Sequence, residues 1–152
     1  MDISAAIPHA ELETLSRRYS AAVDHRDAAA LLTVFAPDAT MRVERPGREP
    51  STMVGHRELE RIIGIVDRFP RTVHQIAQGL YVLDGHEAVG EIYCTAHHFS
   101  GDKPGVGRDH VMYIRYLDRY SVDVQGRWRI AHRTVTVDAT EDRPVSIDER
   151  SR

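Results

Sequence analysis

A tyrosine, an aspartate and a histidine are spaced in this chain in a way that could build a general acid–base site. Tyr19 and Asp24 lie five residues apart near the N-terminus, and His74 follows Asp24 by fifty residues. A carboxylate that accepts a hydrogen bond from one imidazole nitrogen fixes the tautomer and favours the imidazolium, which leaves the other nitrogen as a base. A tyrosine is neutral at pH 7 and could donate to a substrate carbonyl or protonate a leaving hydroxyl. Together the three side chains predict proton abstraction, if the fold brings them into contact.

The helix that would carry Tyr19 and Asp24 spans residues 9–24. Its apolar positions recur three and four residues apart, which predicts an amphipathic helix with one buried stripe, formed by Leu12, Leu15, Tyr19 and Val23. On an ideal helix Asp24 lies about 140° from Tyr19, so the two converge only if the helix ends at Asp24. Asp27 then reads as the N-cap of a second helix, which Pro37 terminates.

The rest of the chain predicts one more helix followed by a sheet. A short strand at residues 40–44 and an exposed loop at residues 45–51 precede a third helix over residues 55–69. After Pro70 the apolar period changes to two and predicts four antiparallel strands, over residues 71–83, 86–99, 108–122 and 127–137.

Helices first and a long sheet second predict an α+β fold, with three helices packed on a strongly curved antiparallel sheet to form a cone-shaped barrel. We expect one domain over residues 1–138. Residues 139–152 are charged and poor in apolar side chains, so we expect a mobile tail there.

Strand alternation decides which polar side chains could face a pocket. It places His74 on one face with a set of mainly apolar neighbours, Thr72, Ile76, Gln78, Leu80 and Val82. A histidine in such a place could equally be a hydrogen-bonded core residue. Arg133 falls opposite Trp128 and His132, so one of these two faces must point outward unless a bulge intervenes.

Further candidates lie on the later strands. His97 and His98 are adjacent and point to opposite faces, so at most one of them can face the pocket and the other is expected to be solvated or at an interface. His110 shares a face with Tyr116. Asp118 is flanked by two arginines, and its alternative role is a salt bridge at a rim or a dimer contact.

Composition excludes several classes of function. A charged fraction of 28% with a net charge of −3 describes a globular protein without the basic block that nucleic acid or a membrane surface would require. Cys94 is the only cysteine, which rules out an intrachain disulfide and favours a reducing compartment. The N-terminus lacks the pattern of a signal peptide, and we therefore expect a cytoplasmic protein.

No metal or cofactor is expected from the motifs. The nine histidines include no HxH or HExxH spacing. The glycine patterns of dinucleotide sites and P-loops and the serine elbow of hydrolases are also missing.

Six motifs, in this order, resemble the SnoaL-like branch of the nuclear-transport-factor-2-like (NTF2-like) superfamily. Over residues 10–138 they read YSAAVDHRDAAALLTVFAPDA, GHRELERII, TVHQI, AHHF, YLDRY and GRWRIAHRTV. The chain is most similar to the branch that contains scytalone dehydratase, bile-acid 7α-dehydratase and hexachlorocyclohexane dehydrochlorinase. The resemblance implies a cofactor-free enzyme in which a histidine paired with an aspartate abstracts a proton.

The resemblance also implies roles for particular residues. Tyr19, Asp24 and His74 fall on the motif of those enzymes, and His98 matches a second pocket histidine in approximate position. Arg133 resembles the arginine that follows the tryptophan of the last strand, and could stabilise an enolate. We expect these side chains to form the catalytic site, with substrate contacts from His98, Tyr116, His110 and Asp118.

The expected function is that of a cofactor-independent lyase, in the simplest case a dehydratase, acting on a hydrophobic cyclic or polyketide-like small molecule. Three alternatives remain open. An isomerase or aldol-type cyclase would rely on Asp118 with Tyr19, because related enzymes use a strand acid kept neutral by apolar surroundings. A binding or accessory protein would keep the pocket without chemistry, and a structural subunit like the small subunit of ring-hydroxylating dioxygenases would need a large partner. A homodimer or homotrimer is expected by resemblance.

Overall fold

The computed structural model describes residues 3–103 and 105–147, which contain four helices and six strands. The helices are α1 (Ile3–Asp24), α2 (Ala28–Val34), α3 (Gly55–Leu59) and α4 (Arg61–Val66). The strands are β1 (Phe35–Glu44), β2 (Ser51–Val54), β3 (Arg71–Asp84), β4 (Glu87–Lys103), β5 (Val106–Val122) and β6 (Trp128–Val145).

The strands form a single curled sheet in the order β2-β1-β6-β5-β4-β3. All neighbouring strands are antiparallel except β1 and β6, which run parallel. Helices pack on this sheet, with α3 and α4 together in the place of the third predicted helix. The predicted α+β architecture is therefore confirmed, although the sheet is not closed into a barrel, because β2 and β3 remain its edges.

The N-terminal helices follow the predicted pattern. The apolar stripe of α1 is buried, with at most 4% exposure at each position, namely Leu12, Leu15, Tyr19 and Val23. Asp27 caps α2 by accepting a hydrogen bond of 2.9 Å from the backbone amide of Ala30. These features depend on local spacing alone, which explains why the sequence predicts them.

Two boundaries near the N-terminal half differ from prediction. Strand β1 begins directly after α2 at Phe35, so Pro37 lies inside β1 rather than ending the helix. Pairing with β6 is irregular between Phe35 and Thr40, where a residue without a backbone N–H is tolerated. The predicted loop over residues 45–51 also runs into β2, a short edge strand that pairs with β1.

A bulge in β3 reverses the predicted alternation. Ile76 pairs with Cys94 and Gly79 with Ile92, so β3 carries one extra residue between these two pairs. An extra residue moves every later side chain to the other face. Leu80 and Val82, predicted to face the core, are consequently each 68% exposed.

The predicted tail is partly strand. Residues 139–145 continue β6 and pair with β5, so the expectation of a mobile segment from residue 139 is wrong for that part. Backbone hydrogen bonds to β5 hold this stretch despite its charged side chains, which ion pairs such as Arg108 with Asp142 partly neutralise. Residues 148–152 of the predicted tail lie outside the described residues. Over the described ranges, none of the helices combines the length and apolarity that crossing a membrane requires.

Candidate active site

The joint between α1 and α2 sets the position of Asp24. The amide of Asp27 donates to the carbonyl of Ala22 (2.9 Å) and that of Arg26 to Val23 (3.2 Å), a bond pattern of the Schellman type. This motif needs a left-handed residue after the helix, and Arg26 takes it with φ of 59°. The chain therefore turns sharply after Asp24, which is the last residue of α1.

The side chain of Arg26 compensates for this backbone conformation. Its guanidinium donates to the carbonyls of Val23 (2.9 Å) and Asp24 (3.3 Å) at the end of α1. It also donates to those of Val66 (3.1 Å), the last residue of α4, and Phe69 (2.9 Å). A cation beside the carbonyls at helix C-termini is favourable. Arg26 therefore fixes α1 to the segment that leads into β3.

Arg26 also connects to β3 through Thr72. Its guanidinium donates to the Thr72 hydroxyl (2.8 Å), and that hydroxyl donates to Oδ1 of Asp24 (2.8 Å). A hydroxyl that already accepts from a cation donates more strongly to a carboxylate. Arg26 and Thr72 thus orient Asp24 towards His74.

The predicted contact between Asp24 and His74 is confirmed. Oδ1 of Asp24 lies 2.7 Å from Nδ1 of His74, and Oδ2 accepts from the backbone amide of His74 at 2.9 Å. Both side chains are mostly buried, with exposures of 20% for Asp24 and 7% for His74. Burial alone would raise the pKa of Asp24, but the hydrogen bonds from His74 and Thr72 outweigh it and lower this pKa. Asp24 is therefore anionic at neutral pH, Nδ1 of His74 carries the shared proton, and Nε2 is left as the basic nitrogen.

His74 lines a mainly apolar cavity between the helices and the sheet. Only five lining residues are polar, namely Tyr19, Arg45, His74, His98 and Tyr116, and the other eleven are valine, isoleucine or methionine. The cavity offers about 80 Å³ to the centre of a water-sized sphere. Sites for drug-sized ligands typically reach roughly 300–1,000 Å³, so this cavity favours a compact ligand.

His98 faces the cavity, as predicted, and is 4% exposed. Its Nδ1 lies 3.2 Å from the carbonyl of His110, an acceptor only, so Nδ1 carries the proton and Nε2 is unprotonated. Burial, together with the charges of His74, His110 and Arg45, lowers the pKa of His98 to about 4 despite the bond to that carbonyl. The ring is neutral at pH 7 and lies 5.8 Å from the ring of His74, centroid to centroid.

The lowered pKa of His98 predicts a loss of stability in mild acid. In the unfolded chain His98 binds a proton as the pH falls below about 6.5, whereas in the folded protein it does so only near 4. The free energy of unfolding is therefore unaffected by protonation of His98 above pH 6.5. Between pH 6.5 and 4 it falls by up to about 3 kcal/mol, because only the unfolded chain protonates this ring. Urea unfolding of the wild type and of His98→Asn across this range should give curves that converge towards pH 4. Parallel curves would show that His98 is not held neutral by the fold.

Arg133 and Asp118 do not line the cavity, contrary to the predicted direct contacts with substrate. Nε of Arg133 donates to Oδ1 of Asp118 (2.8 Å) and Nη2 to Oδ2 (2.6 Å), in a pair of side chains with no exposed surface. The guanidinium lies 4.4 Å from the ring centroid of Tyr19 and 4.1 Å from that of Tyr116. The two residues form a layer directly behind these tyrosines, and Asp118 is neither at a rim nor in a surface ion pair.

A bulge in β6 explains how Arg133 and the residues before it can both face inward. Ile130 pairs with Tyr120 and His132 with Arg119, which leaves one extra residue, Ala131, in β6. Ile130 and Arg133 are both fully buried as a result. His132 instead hydrogen-bonds Thr40 and Thr134 away from the cavity.

The remaining candidates divide between the two faces of the sheet. Tyr116 lines the cavity, as predicted, and donates to Sγ of Cys94 at 3.6 Å. The side chain of His110 does not line the cavity, because it is 35% exposed and bonds Asp142 at 2.9 Å. The backbone carbonyl of His110 is its contribution to the site, through the bond to His98. His97 lies on the outer face and forms a second histidine–carboxylate contact, to Asp109 at 2.7 Å.

Three residues near the site were not predicted from the sequence. Arg26 and Thr72 orient Asp24, and Arg45, which falls in the predicted exposed loop, lines the cavity instead. Thr72 shares the predicted face of His74, which was an available signal. Nothing in the local sequence indicates the directions of the two arginine side chains. Within residues 3–103 and 105–147, no cluster of three histidine, cysteine or acidic side chains could hold a metal ion.

Comparison with known structures finds the same fold in several proteins of low sequence identity. A candidate scytalone dehydratase from Novosphingobium aromaticivorans is 19% identical, with 98% of this chain and 97% of that chain covered and a TM-score of 0.76. The hexachlorocyclohexane dehydrochlorinase LinA-type3 from Novosphingobium barchaimii is 14% identical, with 94% of each chain covered and a TM-score of 0.77. A protein from Kribbella flavida is 22% identical, with 90% and 95% covered and a TM-score of 0.77.

The sequence itself places the chain more firmly than these structural similarities do. A search of curated protein sequences finds no significant match. The family model of the SnoaL-like domain, however, matches residues 7–134, which include most of α1, the joint and all the polar residues that line the cavity. The chain therefore belongs to the SnoaL-like family.

Proposed function

We propose that this protein is a cofactor-independent lyase in which His74 removes a proton from carbon and Asp24 holds the imidazole in place. One observation carries the proposal: an imidazole that lines an apolar cavity is bonded through Nδ1 to a buried, anionic carboxylate at 2.7 Å. Such a carboxylate stabilises the imidazolium that forms on proton transfer. The apolar walls strengthen this electrostatic interaction by excluding water.

The proposed reaction is the loss of water from a β-hydroxy carbonyl compound. Nε2 of His74 takes the proton of the carbon beside the carbonyl, and the electron pair of that C–H bond forms an enolate. The pair then forms the new C=C bond as the bond to the β-oxygen breaks. The leaving hydroxyl takes the proton from the imidazolium of His74 and departs as water, which returns His74 to its neutral form.

Tyr19 is the proposed donor to the oxygen that becomes negative. It lines the cavity, and burial raises its pKa to about 12 although the nearby charge of Arg133 lowers it, so the phenol stays protonated at neutral pH. Arg133 lies behind Tyr19 and contacts the face of its ring rather than the cavity. Its proposed role is therefore to position Tyr19 and to favour negative charge in this region, not to bind the enolate directly.

Two of the structural neighbours have names that describe elimination reactions, a dehydratase and a dehydrochlorinase. Both reactions remove a hydrogen and a leaving group from adjacent carbons, which supports the choice of elimination over hydrolysis or redox chemistry. The small apolar cavity supports a compact cyclic substrate more than an extended polyketide. The cyclase or isomerase alternative, which relies on Asp118, is less well supported because Asp118 is bound by Arg133 away from the cavity.

Elimination and proton exchange can be measured together. The wild-type protein would be incubated in D₂O with compact β-hydroxy ketones, such as 3-hydroxycyclohexanone and 3-hydroxy-1-indanone, and followed by ultraviolet absorbance and proton NMR. We expect the conjugated enone to appear, with deuterium entering the carbon beside the carbonyl. Exchange without enone formation would favour an isomerase. Recovery of every compound unchanged and without deuterium, including analogues that bear a carboxylic acid, would favour a binding protein and contradict the proposal.

A further inference from the structure

Arg45 differs from the other arginines near the site because it reaches the cavity. It is partly buried, and it is the one positively charged side chain among the residues that line the cavity. Its charge also contributes to the lowered pKa of His98, which lines the same cavity. The guanidinium therefore acts on the space next to the histidines and not only on bulk solvent.

The guanidinium of Arg45 has no partner among the side chains that the structure describes, those of residues 7–101, 103 and 105–147. No side-chain hydrogen bond or ion pair of Arg45 is present in that part of the chain, whereas Arg26 binds carbonyls and Arg133 binds Asp118. Arginine offers five N–H donors in a rigid planar arrangement that suits a carboxylate. A partly buried guanidinium without an acceptor is unfavourable, and a bound anion would supply the acceptors.

The neighbours of Arg45 have the same charge. Burial and then the charges of Arg68 and Arg48 lower the pKa of Arg45, which places both of these arginines nearby. Arg68 lies 5.0 Å from the ring centroid of Phe69, and the ring of Phe69 lies 4.9 Å from that of His98. The exposed side chains of Arg48 and Arg68 thus add positive potential close to the cavity.

The charge around Arg45 is opposite in sign to the charge of Asp24 beside His74. Asp24 supplies the negative charge that stabilises a histidine cation, whereas the potential around Arg45 attracts an anion and repels a cation. A ligand with an acidic group at one end and a reactive carbon at the other would satisfy both parts of the cavity. The apolar walls between them, formed by valine, isoleucine and methionine, would contact its ring.

We propose that the substrate carries a carboxylate and that Arg45 binds it while the ring of the substrate lies against the apolar walls next to His74. Arg45 is then a specificity-determining residue, and the substrate class narrows from cyclic hydroxy ketones to compact cyclic hydroxy ketones that bear a carboxylic acid. This inference rests on the proposed function for the identity of the reactive group. The preference for an anion does not depend on it.

The preference can be measured by binding, with isosteric probes that differ in charge. Benzoate, phenylacetate and 3-phenylpropionate would each be compared with the corresponding neutral amide, by titration followed in ¹H–¹⁵N NMR spectra of the wild type. We expect the best of the three carboxylates to bind at least about 10-fold more tightly than its amide, as a charge-assisted bidentate contact would allow. In Arg45→Gln this preference should fall to about 3-fold or less, with the affinity for the amide unchanged.

Two further variants test the geometry. Arg45→Lys keeps the charge but not the planar pair of donors, so an intermediate preference is expected. Arg48→Gln removes an exposed charge and should retain most of the preference. An unchanged affinity for the amide shows that the cavity of each variant is intact. A carboxylate preference that persists in Arg45→Gln, or that is missing in the wild type, would overturn the inference.

The role of Arg45 and the proposed reaction can be contradicted independently of each other. His74→Ala should slow turnover by at least about 10²-fold yet keep the carboxylate preference, because Arg45 is unaffected. Suppose that the protein prefers carboxylates but converts no β-hydroxy ketone, whether or not the ketone bears a carboxylic acid. That result would contradict the lyase proposal alone. Turnover of neutral ketones at rates equal to those of their carboxylated analogues would contradict the role of Arg45 alone.

Discussion

Replacing His74 with alanine is expected to slow elimination by at least about 10²-fold, the lower range of what a positioned general base contributes. The imidazole of His74 is the proposed proton acceptor, and the other histidine that lines the cavity, His98, cannot replace it. Nδ1 of His98 donates to a backbone carbonyl, and a pKa of about 4 makes its free nitrogen a weak base. Rates of enone formation and of deuterium uptake should fall together, because both need the same proton transfer.

Asp24→Asn tests the same step from the other side of the pair. The amide is similar in shape but carries no charge, so it no longer stabilises the imidazolium or fixes Nδ1 as the protonated nitrogen. A loss of at least about 10²-fold is again expected, with a smaller effect on substrate binding than on turnover. Loss of binding alone would indicate that Asp24 only supports the fold.

The sheet supplies a matched control in the contact between His97 and Asp109. Its separation between nitrogen and oxygen is 2.7 Å, equal to that of His74 and Asp24, but it lies on the outer face. His97→Ala should change the rate by no more than about 2-fold, because the imidazole does not reach the cavity. A loss in this variant as large as that in His74→Ala would contradict the assignment of the site.

Replacing Asp118 with alanine is expected to produce the largest loss of stability, about 3–5 kcal/mol. The variant leaves the Arg133 guanidinium without its carboxylate in a place where the side chain has no exposed surface. The contacts of Arg133 with the rings of Tyr19 and Tyr116 do not replace those two hydrogen bonds. Guanidinium chloride unfolding, with the same slope for both proteins, would measure the difference.

Two comparisons separate the buried charge from other effects. The double variant Asp118→Leu with Arg133→Met removes both charges and should recover most of the stability lost in Asp118→Ala. The exposed pair of Arg115 and Asp138 has the same two-bond geometry, with 2.7 Å for each bond. Asp138→Ala should therefore cost much less, since solvent screens that pair. Equal losses at the two sites would show that burial does not dominate.

The confirmed parts of the fold are those encoded by local patterns. The stripe of α1, the cap at Asp27 and the change of period after Pro70 each depend on residues close in sequence. The contact between Asp24 and His74 could be predicted because a family motif supplied the long-range pairing, and because the polar residues after Asp24 indicated the end of α1. Its catalytic role stays a prediction until the variants are measured.

The errors come from single-residue events that periodicity does not encode. One extra residue in β3 turns Leu80 outward, and one in β6 sets the direction of Arg133, which alternation in that strand left open. The length of β6 depends on backbone pairing with β5 rather than on apolar side chains, so its charged end read as a tail. The direction of a long side chain such as Arg45 depends on which neighbours are already paired, which only the assembled structure specifies.

The joint at Arg26 also constrains which length changes the family can accept. Its Schellman bonds fix the number of residues between Ala22 and Asp27, and its guanidinium joins this turn to the carbonyls of Val66 and Phe69. One inserted or deleted residue there would rotate Asp24 away from His74. Relatives that keep the site should therefore differ in length at exposed loops, such as residues 46–50 and 124–127, while the interval from Asp24 to Asp27 stays constant among them.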